Sequence, residues 1–272
     1  MAQLNRRQML KGSVAGSFAL GAAGLFGTAH AAGAVKFPKK WDETVDVIVI
    51  GPGFAGMAAA IEAKNAGANV IVLEKMPTYG GNSAINGGIL TATGCPQQKK
   101  HAIKDSPELL AHDMLVAGLY MNQPEKVKLV ASHALSNYEW TVNYLGVEYN
   151  PDAIGQEGGH SVPRYVFTKN GSGSGITSKE KQKLDELGVK IRTRTYVKHI
   201  FRNDDGRVVG IEVREGYRFP NENSGRTKFI AAKKGVVLCY GGFSCDVPYR
   251  TMQNPMLTAK FDSTNQPGAT AE

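Results

Sequence analysis

Val45-Asp-Val-Ile-Val-Ile-Gly-Pro-Gly-Phe-Ala-Gly-Met-Ala-Ala-Ala60 is the stretch that decides the fold. Residues 45–50 are β-branched and apolar apart from Asp46, the composition of a buried parallel strand. Gly51-Pro52-Gly53-Phe54-Ala55-Gly56 follows without a break. The alanine-rich run from Met57 to Asn65 predicts a helix, stopped by Gly67. Asn69-Val-Ile-Val-Leu73 predicts a second buried strand that ends at Glu74. Together these make a βαβ unit of about 30 residues.

A G-x-G-x-x-G sequence between a strand and a helix is a phosphate-binding turn. Gly51 permits the tight bend, Gly53 lets the backbone approach a pyrophosphate, and Gly56 lets helix and strand pack closely. Phe54 and Ala55 complete the turn at the helix mouth. The helix N-terminus offers unpaired N–H groups and a partial positive charge to an anion. Glu74 stands 23 residues after Gly51. A carboxylate there accepts hydrogen bonds from a ribose diol and repels a 2′-phosphate. The turn alone leaves FAD and NAD both open.

Upstream, residues 5–11 read Asn-Arg-Arg-Gln-Met-Leu-Lys, followed by an apolar run of small residues from Gly12 to Phe26 and by Ala29-His30-Ala31. Charge, apolar run and small-residue end in that order predict an export signal over 1–31. The paired arginines resemble a twin-arginine leader, which implies a periplasmic protein. The apolar run is shorter than the roughly 18–20 residues that cross a bilayer, so no stable membrane anchor is expected. Residues 32–44, with Pro38 and several lysines, read as an exposed linker, and 45–272 as one domain.

Downstream, Ser106-Pro107 predicts an N-cap with proline at the first helical position, opening a helix to about Leu119. A longer helix is expected from Pro124 to Leu145, and a charged one from Lys179 to Leu187. Val189 to Thr193 reads as a strand. Val197–Arg202 and Arg207–Val213 flank Asn203-Asp204-Asp205-Gly206 and predict a β-hairpin. Residues 235–240 predict another buried strand. The class is therefore α/β: a parallel sheet with an inserted antiparallel hairpin.

Composition narrows function. Hydrophobic residues make up 42% of the 272 and charged residues 21%, enough to build a core and exclude wholesale disorder. The net charge is +8, of which Arg6, Arg7 and Lys11 in the leader supply three. The remaining surplus shows no arginine run, so nucleic acid is not an expected partner. Three cysteines without C-x-x-C spacing exclude a zinc ribbon and an attached haem.

Lys75-Met-Pro-Thr-Tyr-Gly-Gly-Asn-Ser83 and Asn86-Gly-Gly88 are glycine-rich with short polar side chains, suited to backbone lying against a large planar ligand. With Val237-Leu-Cys-Tyr-Gly-Gly-Phe243 and Ser263-Thr-Asn-Gln-Pro-Gly-Ala269, they closely resemble the flavoprotein subunits of the fumarate reductase and succinate dehydrogenase superfamily. The similarity is greatest to its soluble periplasmic branch, the fumarate, methacrylate and urocanate reductases, and extends from Glu43 to Glu272.

The resemblance implies a Rossmann-like FAD-binding fold. Gly51, Gly53 and Gly56, with Phe54 and Ala55, would hold the FAD pyrophosphate, Glu74 its adenosine ribose, and Lys75 would sit beside that ribose. Gly81, Asn82, Ser83, Gly87 and Gly88 would lie against pyrophosphate, ribityl chain and flavin. Val197 would meet the adenine through its backbone. Tyr240 and Gly241 would pass over the adenosine side, although Tyr240 replaces the family's threonine. Hydride would pass from FAD to the β-carbon of an α,β-unsaturated carboxylate. Membrane-bound relatives attach FAD through a histidine that falls here on Gly81, so the FAD is expected to be non-covalent. A separate periplasmic cytochrome c is the expected electron donor.

The family's arginine acid and substrate-clamping histidines would lie beyond Glu272, in a capping domain and the returning part of the FAD domain. The expectation is thus an FAD-binding portion, incomplete at its C-terminus and inactive alone unless a second polypeptide completes it. The alternatives are a stand-alone FAD or electron-transfer module and a non-functional remnant. Within 1–272, His160 and Arg164 in Gly-Gly-His-Ser-Val-Pro-Arg164 could clamp a carboxylate, but the preferred reading is a surface or domain-border loop. His101, His112, His133 and His199 lack metal-ligand spacing and read as structural or solvated.

Overall fold

The computed structural model describes residues 37–271, so the expected leader and the first part of the linker lie outside the described residues. In chain order the first elements are β1 (Glu43–Ile50), α1 (Phe54–Asn65), β2 (Val70–Leu73), α2 (Gly81–Ile85), β3 (Ile89–Thr91), α3 (Pro96–Lys100), α4 (Pro107–Ala117), α5 (Pro124–Ser132) and α6 (Ala134–Asn143). Then come β4 (Tyr165–Phe167), α7 (Ser174–Glu186), β5 (Ile191–Arg192), β6 (Thr195–Arg202), β7 (Val208–Glu215), β8 (Arg226–Leu238) and α8 (Val247–Gln253).

The opening stretch folds as the expected βαβ unit, with β1 starting at Glu43, inside the stretch read as linker. β1 pairs in parallel with β2, Val47 against Val70 and Ile50 against Leu73. β2 pairs in parallel with β5. On its other side β1 pairs in parallel with the second half of β8, Ile50 against Leu238. The first half of β8 runs antiparallel to β7, which is antiparallel to β6. One six-stranded sheet results, ordered β5-β2-β1-β8-β7-β6. The expected hairpin is β6–β7. Of the expected strand 235–240, only residues 235–238 are in β8, at its end. The first half of β8, rich in lysine and arginine, reads as polar because one face of the antiparallel part meets solvent.

The parallel strands are buried on both faces, and their side chains alternate. Val47, Val49, Val70 and Val72 face α1 and α7 through Met57, Ile61, Ile176 and Leu184. Ile48, Ile71 and Leu73 face the other way, onto Ile211, Val213 and Ile230 of the antiparallel strands. This two-sided burial explains why β1 and β2 are unbroken apolar runs.

Ser106 caps α4, its Oγ accepting from the Leu109 N–H at 3.1 Å, with Pro107 at the first helical position. The single helix expected over 124–145 is two helices, broken at His133 (φ −103°, ψ 3°). Ser132 Oγ donates to the Leu129 carbonyl at 3.0 Å and His133 Nδ1 lies 2.9 Å from it, so side chains compete with the helical ladder there. Helix α7 begins at Ser174, earlier than the expected Lys179.

Candidate cofactor site

A cavity of about 430 Å³ opens at the C-terminal ends of β1, β2 and β8, with β6 as its opposite wall. Its lining comes from residues 50–53, 73–76, 80–83, 195–200 and 238–241, with Gln266 and 268–271. The strand ends are stitched together: the Gly51 N–H donates to the Leu73 carbonyl at 2.9 Å and the Cys239 N–H to the Ile50 carbonyl at 2.7 Å. Gly51 has φ +94°, and a Cβ there would stand 2.4 Å from the Cys239 carbonyl oxygen. A Cβ on Gly56 would stand 1.8 Å from the Gly51 carbonyl oxygen. No other residue fits either position, and the turn is thereby pressed against the strand.

Helix α1 has Gly53 as its N-cap, which supplies no side-chain cap, and holds no acidic residue in its first turn. Its N-terminal donors and dipole point at the cavity mouth, where Ser83 Oγ accepts from the Phe54 N–H at 3.1 Å. Glu74 stands where β2, β5 and β6 meet: its N–H donates to the Arg192 carbonyl, and its carbonyl accepts from the Thr195 N–H. Its Oε1 accepts from the Met76 N–H at 2.7 Å. Burial pushes the Glu74 carboxyl up, against the opposing pull of the Met76 hydrogen bond and the Lys75 charge.

The segment 266–271 straps the cavity. Asn82 Oδ1 accepts from the Gln266 N–H at 2.7 Å, and Lys75 Nζ donates to Thr270 Oγ1. The Cys245 N–H holds the Ala269 carbonyl from behind at 2.9 Å, and Asp246 Oδ2 accepts from the Ala271 N–H at 3.2 Å.

Of the residues expected at the site, Gly51, Gly53, Glu74, Lys75, Gly81, Asn82, Ser83, Val197, Tyr240 and Gly241 line this cavity. Phe54, Ala55 and Gly56, the first helical residues, do not line it. Gly87 and Gly88 do not line it either. Gly88 is packed against the 168–172 turn, where a Cβ would stand 2.0 Å from Thr168 Oγ1. The sequence reading missed Thr195, Tyr196, Lys198 and His199 of β6, and assigned no contact to Gln266 or 268–271. His199, read as structural or solvated, is a wall residue. The signal for β6 was its first residue following Glu74 in space, which only strand pairing reveals. The three cysteines are free thiols, and burial pushes the Cys239 thiol up beside the cavity.

Arg164 departs from the surface-loop reading. It is fully buried. Its Nε and Nη2 donate to the two oxygens of Asp105 at 2.9 and 2.8 Å, and its Nη1 to Asp113 Oδ2 at 2.6 Å. The guanidinium that could have clamped a substrate carboxylate is spent inside the protein.

The family model described as an FAD binding domain matches residues 46–272. The acrylate reductase flavoprotein subunit of Shewanella woodyi is 41% identical over 270 residues, which is 99% of this chain and 52% of the relative. The urocanate reductase of Eggerthella lenta is 34% identical over 86% of this chain and 38% of its own length. Among solved structures, the open conformation of a flavocytochrome c3 fumarate reductase superposes with a TM-score of 0.77 at 32% identity, over 85% of this chain and 39% of that one. The chain spans about half or less of the length of these relatives.

Proposed function

The chain belongs to the FAD-binding domain family, and from that premise we propose that its cavity holds FAD non-covalently as part of a periplasmic reductase for α,β-unsaturated carboxylates. The observation that carries the reading is the joint presence, in one cavity, of the Gly51–Gly53 backbone at the α1 N-terminus, Ser83 beside it and the Glu74 carboxylate. The N-terminus of α1 and Ser83 would bind the pyrophosphate, Glu74 and Lys75 the adenosine ribose, and the Val197 backbone the adenine. Asn82 would orient the strap through Gln266. When bound, FAD supplies the hydride for reduction of a C=C bond.

Non-covalent binding rests on Gly81, whose Cα faces open space with no atom within 4 Å of a built Cβ and which offers no nucleophile. Relatives named for acrylate, urocanate and fumarate support the substrate class. The twin-arginine pattern supports export, and export in turn supports a periplasmic cytochrome c as electron donor.

The test is the absorption spectrum of the purified chain with FAD. A flavin band at about one FAD per chain, released to the supernatant by acid, is the expected result. No flavin bound at saturating FAD overturns the cofactor assignment. Flavin that stays with acid-precipitated protein overturns the non-covalent one. For export, Arg6→Lys with Arg7→Lys is expected to hold the protein in the cytoplasmic fraction.

A further inference from the structure

Past the end of β8 the chain changes character. Its last tie to the sheet is the Cys239 N–H on the Ile50 carbonyl. Tyr240, Gly241 and Gly242 are exposed, and among the described residues their backbone groups make no hydrogen bond. Gly241 has φ +84°, and a Cβ built on either glycine meets no atom within 4 Å. Backbone without bonds or packing, and with glycine's freedom, absorbs a rotation at little cost.

From Phe243 onward the segment holds itself together. Arg250 is buried, and its guanidinium reaches four carbonyls. Nε donates to Leu257 at 3.1 Å, Nη1 to Ser244 at 2.7 Å, and Nη2 to Thr258 at 2.8 Å and to Phe261. Asp246 joins α8 to the strap, Oδ1 accepting from the Tyr249 N–H at 2.9 Å and Oδ2 from the Ala271 N–H. The Phe243 and Tyr249 rings meet edge to face at 4.7 Å.

Its hold on the rest of the chain is light. Among the described residues, the hydrogen bonds that cross run through two side chains. Asn82 takes the Gln266 N–H at one end of the strap, and Lys75 donates to Thr270 at the other. Between them Gly268 rests on Met76, where a Cβ would stand 2.7 Å from Cγ. Met252, Met256 and Phe261 are 69%, 72% and 53% exposed, so they do not anchor the segment.

We propose that residues 243–271 are a gate, one rigid piece that swings on Gly241–Gly242 and is latched shut by Asn82 and Lys75. Its role rests on the cofactor reading above: with the strap tied at both ends over the cavity, FAD enters and leaves when the latches release.

Two measurements on the full chain test this. The first needs no cofactor: hydrogen-exchange mass spectrometry of the FAD-free chain. Asn82→Ala with Thr270→Val removes both latches and leaves the hinge untouched. Exchange is expected to rise about tenfold across 243–271 as a block, while peptides from β1 and α1 keep their rates. The second follows FAD by stopped-flow flavin fluorescence. The latch variant is expected to speed both uptake and release about tenfold, and Gly242→Val, which stiffens the hinge in open space, to slow both. The dissociation constant is expected to change less than either rate. Faster exchange confined to 266–271, without 243–261, overturns the rigid gate. FAD uptake indifferent to Gly242→Val overturns the hinge. If the chain takes up no FAD, the cofactor reading falls, and the block exchange by itself upholds or overturns the gate.

Discussion

A single hydrogen atom in place of a methyl group decides whether the turn at Gly56 closes. With the Gly51 carbonyl 1.8 Å from where a Cβ would sit, Gly56→Val must push α1 off β1. We expect it to cost more than about 2 kcal/mol and to abolish flavin binding, checked by urea midpoint and flavin absorbance. Glu180 is the opposite case, a side chain the fold tolerates at a cost. It is buried on α7, its Oε2 has no hydrogen-bond partner, and burial raises its pKa to about 9. The folded state thus keeps a proton that the unfolded chain gives up near its ordinary value of 4.5. Stability from this group is present below that value and is lost as pH rises toward 9. Glu180→Gln is expected to add about 1–3 kcal/mol at pH 8 and little at pH 4, measured by denaturant unfolding at both. Neither effect is visible in sequence: glycine in a turn and glutamate in a charged helix both look ordinary.

At the scale of elements, the quoted strand–turn–helix folds as its apolar pattern dictates, because two-sided burial leaves the strand no alternation to confuse. The elements that escaped are those whose apolar pattern is diluted. The first half of β8 carries lysines because it shows one face to water, and α5–α6 breaks where Ser132 and His133 compete for the Leu129 carbonyl. Glu43, placed in the linker by sequence, ties three strands instead. Its carboxylate takes Arg192 of β5 at 2.6 and 2.7 Å and Lys228 of β8 at 2.9 Å, and Arg192's hydrogen bonds foremost lower its pKa to about 2. Its pH sign is the reverse of Glu180's: the stabilisation is present above 4.5 and lost as pH falls toward 2. Glu43→Gln is expected to cost about 1–2 kcal/mol at pH 7, and the difference is expected to vanish near pH 2.

At the scale of the molecule, the strap 266–271 joins residues nearly 200 positions apart, through Asn82 and Lys75, across the cavity mouth. A ligand seated beneath it binds only the folded chain. FAD at one hundred times its dissociation constant is therefore expected to stabilise the protein by about 2.7 kcal/mol. The same addition should slow amide exchange at Phe54, Gln266 and Ala269, read by hydrogen-exchange mass spectrometry. No protection at 266–271 would mean that the strap does not cover the cofactor.

The sequence by itself determined the βαβ unit, the phosphate turn, Glu74 as the acid at the strand end and the hairpin, because each is set by residues close together in the chain. Only the tertiary structure decided which distant segments share the cavity. It placed β6 as the far wall, kept Gly87 and Gly88 out of the lining, and made His199 a wall residue. It also buried Arg164 between Asp105 and Asp113, a pairing across 59 and 51 residues. The physical reason is the same throughout. Local pattern records which face of an element is apolar, whereas the partner of a charge or the wall of a cavity depends on how whole elements stack, and no spacing within one segment encodes that.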